Sequence, residues 1–103
     1  MKCFVTFRLK PGLTSDEYEE WFRNENVPAA RKMQSVLSYR VWRVVGALEG
    51  TPAFDYLEEM EIEDRGRFEG EIEKLPEMVA MLEGWYSRVS DQVVLYGEEV
   101  RQD

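Results

Sequence analysis

The chain has no histidine and one cysteine, so any proton transfer it performs falls to carboxylates and tyrosine phenols. Two carboxylates stand where apolar residues are expected. In DEYEEWFRNENVPAARKM (16–33), Tyr18, Trp21, Phe22, Ala29 and Met33 lie on one helical stripe, and Glu25 lies on it too. In FDYLEEMEI (54–62), Phe54, Tyr56, Met60 and Ile62 share one strand face, with Glu58 in its middle. A carboxylate buried without a cation has its pKa driven upward. That is what an acid or base working near neutral pH needs. Each residue also has a structural reading. Glu25 sits by a helix end, where it can reach solvent or pair with Arg31, Arg40 or Arg43. Glu58 can form a cross-strand ion pair with Arg43.

The loop centred near Glu49 places Glu58 opposite Val41, on a face shared with Tyr39, Arg43 and Val45. Tyr39 and Tyr56 then point to the helix side. Either phenol can orient a ligand or donate a proton, and either can be a core tyrosine with a partnered hydroxyl. Glu59 and Glu61 fall on the opposite face, and a bulge would exchange the two faces. Met78, Met81 and Trp85 form a second apolar stripe on the last helix, which suits core or the adaptable wall of a pocket for a flat ligand. Asn26 is placed to cap a helix that restarts at Pro28. The candidate catalytic residues are Glu58, Glu25 and Tyr39. The candidate ligand contacts are Tyr56, Trp21, Asn26, Arg43, Met81 and Trp85.

Composition narrows the partners. A net charge of −8 argues against nucleic acid and against anionic membrane surfaces. No apolar run is long enough to span a bilayer, and the N-terminus reads as a strand rather than a signal peptide. Cys3 has no cysteine to pair with, which suits a cytoplasmic setting. On an apolar strand it reads as a small core residue, with a reactive thiol as the alternative. Without histidine, no His-ligated zinc or haem is possible, and no D-x-D-x-D-G calcium loop is present. No metal or organic cofactor is expected.

The elements that must position these residues follow from periodicity. KCFVTFRL (2–9), LSYRVWRVV (37–45), FDYLEEMEI (54–62) and DQVVLYGEEV (91–100) read as strands. Thr14 and Glu17 make a capping box that opens the first helix. Pro28 ends or kinks that helix near Asn26. Asp64 opens the second helical region, which Pro76 divides in two. The order β-α-β-β-α-β over 1–103 is that of one ferredoxin-like α+β domain, a four-stranded antiparallel sheet with helices on one face. Its open face carries Phe4 and Trp42, and Tyr96 is assigned to it as well. A sheet apolar on both faces is covered on both, so a homodimer through the open face is expected.

The KPGLTSDEYEEWFRNENVPAARKM segment and the FDYLEEMEIED strand resemble the dimeric α+β barrel superfamily. Within it the EthD-type proteins are similar, and more narrowly the REDY-like (HapK-type) proteins of bacterial tripyrrole, prodiginine-type pigment pathways. The shared motifs are Lys10-Pro11-Gly12, Trp21-Phe22, Val27-Pro28, Tyr39 and Phe54-Asp55. The resemblance implies two sheets facing each other and a small-molecule cavity between sheet and helices in each subunit. Many EthD-type proteins carry a histidine just before the proline of the first helix, where this chain has Glu25-Asn26-Val27-Pro28. The implied activities are cofactor-free cyclisation, condensation or dehydration of a hydrophobic, aromatic or pyrrolic intermediate, by Glu58 or Glu25 with Tyr39 or Tyr56. A non-catalytic carrier or accessory binding protein for such an intermediate is the alternative, and a cofactor-free monooxygenase a third.

Overall fold

The computed structural model describes residues 1–103. Strand β1 is Lys2–Leu9, followed by helix α1, Ser15–Trp21, a π-helical turn, Phe22–Asn26, and a short helix α2, Val27–Ala30. Strands β2, Val36–Arg43, and β3, Tyr56–Ile62, come next, then α3, Arg65–Lys74, α4, Pro76–Tyr86, and β4, Val89–Gly97. All strand pairs are antiparallel, in the order β2-β3-β1-β4. This is the ferredoxin-like α+β arrangement expected from the sequence. No helix is long and apolar enough to cross a membrane.

Local chemistry sets the boundaries. Thr14 Oγ1 accepts from the Glu17 N–H and the Glu17 carboxylate accepts from the Thr14 N–H, so the capping box opens α1 as expected. Asp64 caps α3 by accepting from the Arg67 N–H at 2.7 Å. Pro76 heads α4, where its missing N–H leaves no bond unmade.

Period-2 alternation sorts β1 as expected. Cys3, Val5 and Phe7 are buried beneath the helices, while Phe4, Thr6 and Arg8 face away. Burial drives the Cys3 thiol up to about 11, with the nearby Glu58 carboxylate adding to the effect, so it is a core residue without thiolate character at neutral pH. Tyr18, Tyr56 and Trp85 surround the Phe7 ring with centroids within 5.6 Å, and the Trp85 indole N–H donates to the Tyr18 hydroxyl at 3.1 Å.

Tyr96 departs from expectation. It pairs with Cys3, faces the helices and sets its ring edge-on to Phe68. The cause is a bulge in β4, where Asp91 adopts a positive φ of 55° and the pairing with β1 slips between Thr6 and Arg8. Beyond the bulge, Val93 and Leu95 take the open face in place of Tyr96. Trp42, 50% exposed, lies on that face with them.

Candidate functional site

Glu58 stands at the centre of the sheet. On one side it pairs with Val5 of β1, on the other with Val41 of β2, and Tyr56 and Met60 share its strand face. The carboxyl group is buried and has no cation. Arg43, the expected ion-pair partner, is opposite Tyr56 and its guanidinium lies 2.8 Å from Glu19 instead. The Glu58–Arg43 pair is therefore absent. Desolvation raises the Glu58 carboxyl to about 7, against the opposing effect of a hydrogen bond from Tyr39.

That bond comes from the neighbouring strand. Tyr39 pairs with Met60, which makes Glu58 its diagonal neighbour on the same face. The Tyr39 hydroxyl donates to Glu58 Oε1 at 2.8 Å and stands 3.2 Å from Asn26 Oδ1. Burial, then the Glu58 charge, holds the phenol well above its usual range, so it remains a donor at neutral pH.

Asn26 completes the group through a register shift that the sequence reading missed. The Val27 N–H donates to the Phe22 carbonyl, five residues back. This wide turn lies just before Pro28, whose ring crowds the preceding turn and which has no N–H to give. One extra residue enters the turn and the inward stripe slips by one position. Asn26 becomes buried and Glu25 turns out to solvent. Glu25, expected as a second acid, is thereby excluded from the site. Nor is Asn26 a cap. Its backbone is helical and its side chain makes no capping bond.

These residues meet at a cavity of about 170 Å³ between the sheet and the helices. Of its 16 lining residues, Asn26 and Glu58 are the two that are not hydrophobic, so the polar chemistry is confined to one spot. Met33, Met60, Met78 and Met81 all line it, which makes its wall adaptable. Trp85 and Met81 lie there as expected.

Three candidate ligand contacts lie elsewhere. Tyr56 donates its hydroxyl to Glu19 Oε2 at 2.7 Å, the carboxylate that also holds Arg43. Trp21 lies between helices, against Gly84 on one side and under the Arg88 guanidinium at 4.7 Å. A Cβ at Gly84 would stand 3.0 Å from the Trp21 ring, so any larger residue requires the ring to give way by a few tenths of an ångström. Tyr56, Arg43 and Trp21 therefore lie outside this cavity, and Tyr56 and Arg43 line a separate pocket beside Glu19. No three Asp, Glu or Cys side chains converge to hold a metal ion.

The family model of the REDY-like protein HapK matches residues 1–100. The chain belongs to the REDY-like HapK family. Solved structures agree on the fold. HapK from Hahella chejuensis superposes with a TM-score of 0.74 at 19% identity, covering 100% of this chain and 96% of that one. An ethyl tert-butyl ether D (EthD) family protein from Bacillus halodurans C-125 gives 0.71 at 20% identity, covering 97% and 99%. A dimeric ferredoxin-like protein of unknown function from Thermobifida fusca gives 0.69 at 19% identity, covering 91% and 85%. No curated protein matches the chain. Identities this low speak for the fold alone, and the activity has to be argued from the cavity.

Proposed function

We propose that the protein is a cofactor-free enzyme of secondary metabolism that moves a proton on a hydrophobic, aromatic or pyrrolic intermediate. Cyclisation, condensation or dehydration of such a molecule is the reaction class. The observation that carries the reading is Glu58, buried at the wall of an apolar cavity with no cation and a carboxyl held near 7. A group half ionised near neutral pH can take a proton and return it. Tyr39 fixes its orientation, and Asn26 fixes Tyr39. Membership of the HapK family is consistent with a role for this chemistry in pigment or antibiotic biosynthesis, which is part of the proposal.

The working unit in this reading is a cytoplasmic homodimer of single-domain subunits, joined through the open sheet face. Trp42, Val93 and Leu95 are exposed there, which leaves an apolar surface to cover. The relative from T. fusca is described as dimeric.

A probe reaction tests the base without knowledge of the natural substrate. In 5-nitro-1,2-benzisoxazole, a base removes the C3 proton, the nitrile forms, the N–O bond breaks and its electron pair leaves on the phenolate oxygen. Wild type should accelerate this, with a rate that rises through about pH 7, and Glu58→Gln should be slower by about 10²-fold or more. Equal rates would end the catalytic reading. The alternative is a carrier that shields a reactive intermediate, and the predominantly apolar lining favours it as the second reading.

A further inference from the structure

Glu58 Oε1 is engaged by Tyr39, whereas Oε2 accepts from no group of the chain. It is not sealed away, since the one fully buried side-chain oxygen without a partner is Ser35 Oγ. Oε2 therefore opens towards the cavity as an acceptor awaiting a donor. Proton bookkeeping around Tyr39 points the same way. Its single hydroxyl hydrogen faces two acceptors, Glu58 Oε1 at 2.8 Å and Asn26 Oδ1 at 3.2 Å. When Glu58 carries its proton on Oε1, it can donate to Tyr39 and Tyr39 to Asn26, which satisfies all three groups. Oε2 is then a carbonyl oxygen. When Glu58 is ionised, Oε2 is a carboxylate oxygen. In both of these arrangements it accepts, and it becomes a donor only while the proton is carried on Oε2 itself.

No Lys or Arg lines the cavity. An anionic ligand would stand against Glu58 in an apolar site with no counter-charge, where desolvation and like-charge repulsion add. The size and the wall set the rest. An apolar cavity of about 150 Å³ suffices for a benzene ring, and here about 170 Å³ is bounded by four methionines, Trp85 and Tyr86.

We infer that the cavity selects flat, uncharged, apolar molecules that present one N–H or O–H donor to Glu58 Oε2, and that it rejects carboxylates and phosphates. This rests on the reading of Glu58 as the working group of the cavity. It adds what that reading leaves open, the charge and the hydrogen-bonding face of the ligand.

Indole, benzofuran and indole-2-carboxylate separate the terms. Indole and benzofuran share one bicyclic shape, and benzofuran replaces the N–H donor by an oxygen. With the methionine methyl groups labelled with carbon-13, four reporters line the cavity and titration gives each dissociation constant. Indole should bind about tenfold more tightly than benzofuran, one good hydrogen bond's worth, and the carboxylate should leave the reporters unmoved. In Glu58→Met, which replaces the carboxyl group by an apolar one at similar side-chain length, indole should lose that advantage. Equal binding of indole and benzofuran by wild type overturns the inference. So does a preference that survives Glu58→Met, shifts caused by the carboxylate, or failure of all three to bind. The outcome is separable from that of the benzisoxazole test. Equal binding alongside Glu58-dependent proton removal defeats the donor rule and leaves the enzyme standing. Indole preference without proton removal keeps the donor rule and favours the carrier.

Discussion

The Tyr39 hydroxyl donates to Glu58 Oε1 at 2.8 Å, from a neighbouring strand and diagonally across one sheet face. It is the one hydrogen bond Glu58 receives, and it favours the ionised carboxyl against the larger effect of burial. Tyr39→Phe removes it. The titration of Glu58 should then move above about 7, and the alkaline rise of the benzisoxazole rate should move with it. Stability should fall by about 1 kcal/mol. A pH profile unchanged from wild type would show that Tyr39 does not act on Glu58.

Stability should depend on pH in a window that belongs to one residue. The carboxyl value of Glu58 is raised from 4.5 to about 7 on folding. Between those values the folded state holds more of this proton than the unfolded chain does. Stability therefore declines as pH rises through the window, by about 3 kcal/mol in all. The chain has no histidine to titrate there. The carboxylates of Glu17, Glu61, Glu69 and Glu71 are shifted downward, so their contributions are lost only as pH falls below the window. Glu58→Gln should flatten the curve and leave the protein at least as stable as wild type at pH 8. Thermal denaturation from pH 4.5 to 8 measures both, and a parallel slope in the variant would contradict the assignment.

Glu25 and Asn26 should exchange the importance that helical periodicity gives them. Glu25→Gln changes an exposed side chain, so stability should stay within about 0.5 kcal/mol and activity should be unaffected. Asn26→Asp puts a second carboxyl beside Tyr39 and Glu58, and the pair should then resist ionising together. The Glu58 titration should shift upward. Chemical denaturation and the benzisoxazole pH profile of both variants check this. A larger effect from Glu25→Gln than from Asn26→Asp would reverse the account.

These cases mark what the sequence carries. Glu58 was legible because a strand has period 2, so a lone charge among Tyr56, Met60 and Ile62 stands out. Its facing residue, Val41, followed from the loop length. The inward place of Asn26 was not legible, because the 3.6-residue period assumed for 16–33 fails in one π-helical turn. Val27-Pro28 marked a disturbance there without showing its form. Tyr96 was assigned to the wrong face for a similar reason, since one bulge at Asp91 inverts the alternation beyond it. Residue type alone draws Arg43, Tyr56 and Trp21 towards the site. Their partners, Glu19 on α1 and Arg88 in the turn after α4, lie off the sheet, and no pattern along the strands points to them.

The open sheet face gives a prediction of its own. Trp42 is half exposed at its surface, and in a dimer it would be buried. Trp42→Glu would then bury an unpaired charge and should dissociate the dimer or unfold the chain. Sedimentation of wild type and variant compares the two states. A stable, folded wild-type monomer would contradict the dimer.

Whether Glu58 is a neutral-range acid can be read directly from its side-chain carboxyl carbon, by carbon-13 NMR of protein labelled in glutamate, with Glu58→Gln identifying the resonance. The account predicts a titration midpoint of about 7 for this one carboxyl. A midpoint near the ordinary 4.5 would mean that the group is solvated or paired, and would contradict both the chemistry assigned to Glu58 and the ligand rule built on it.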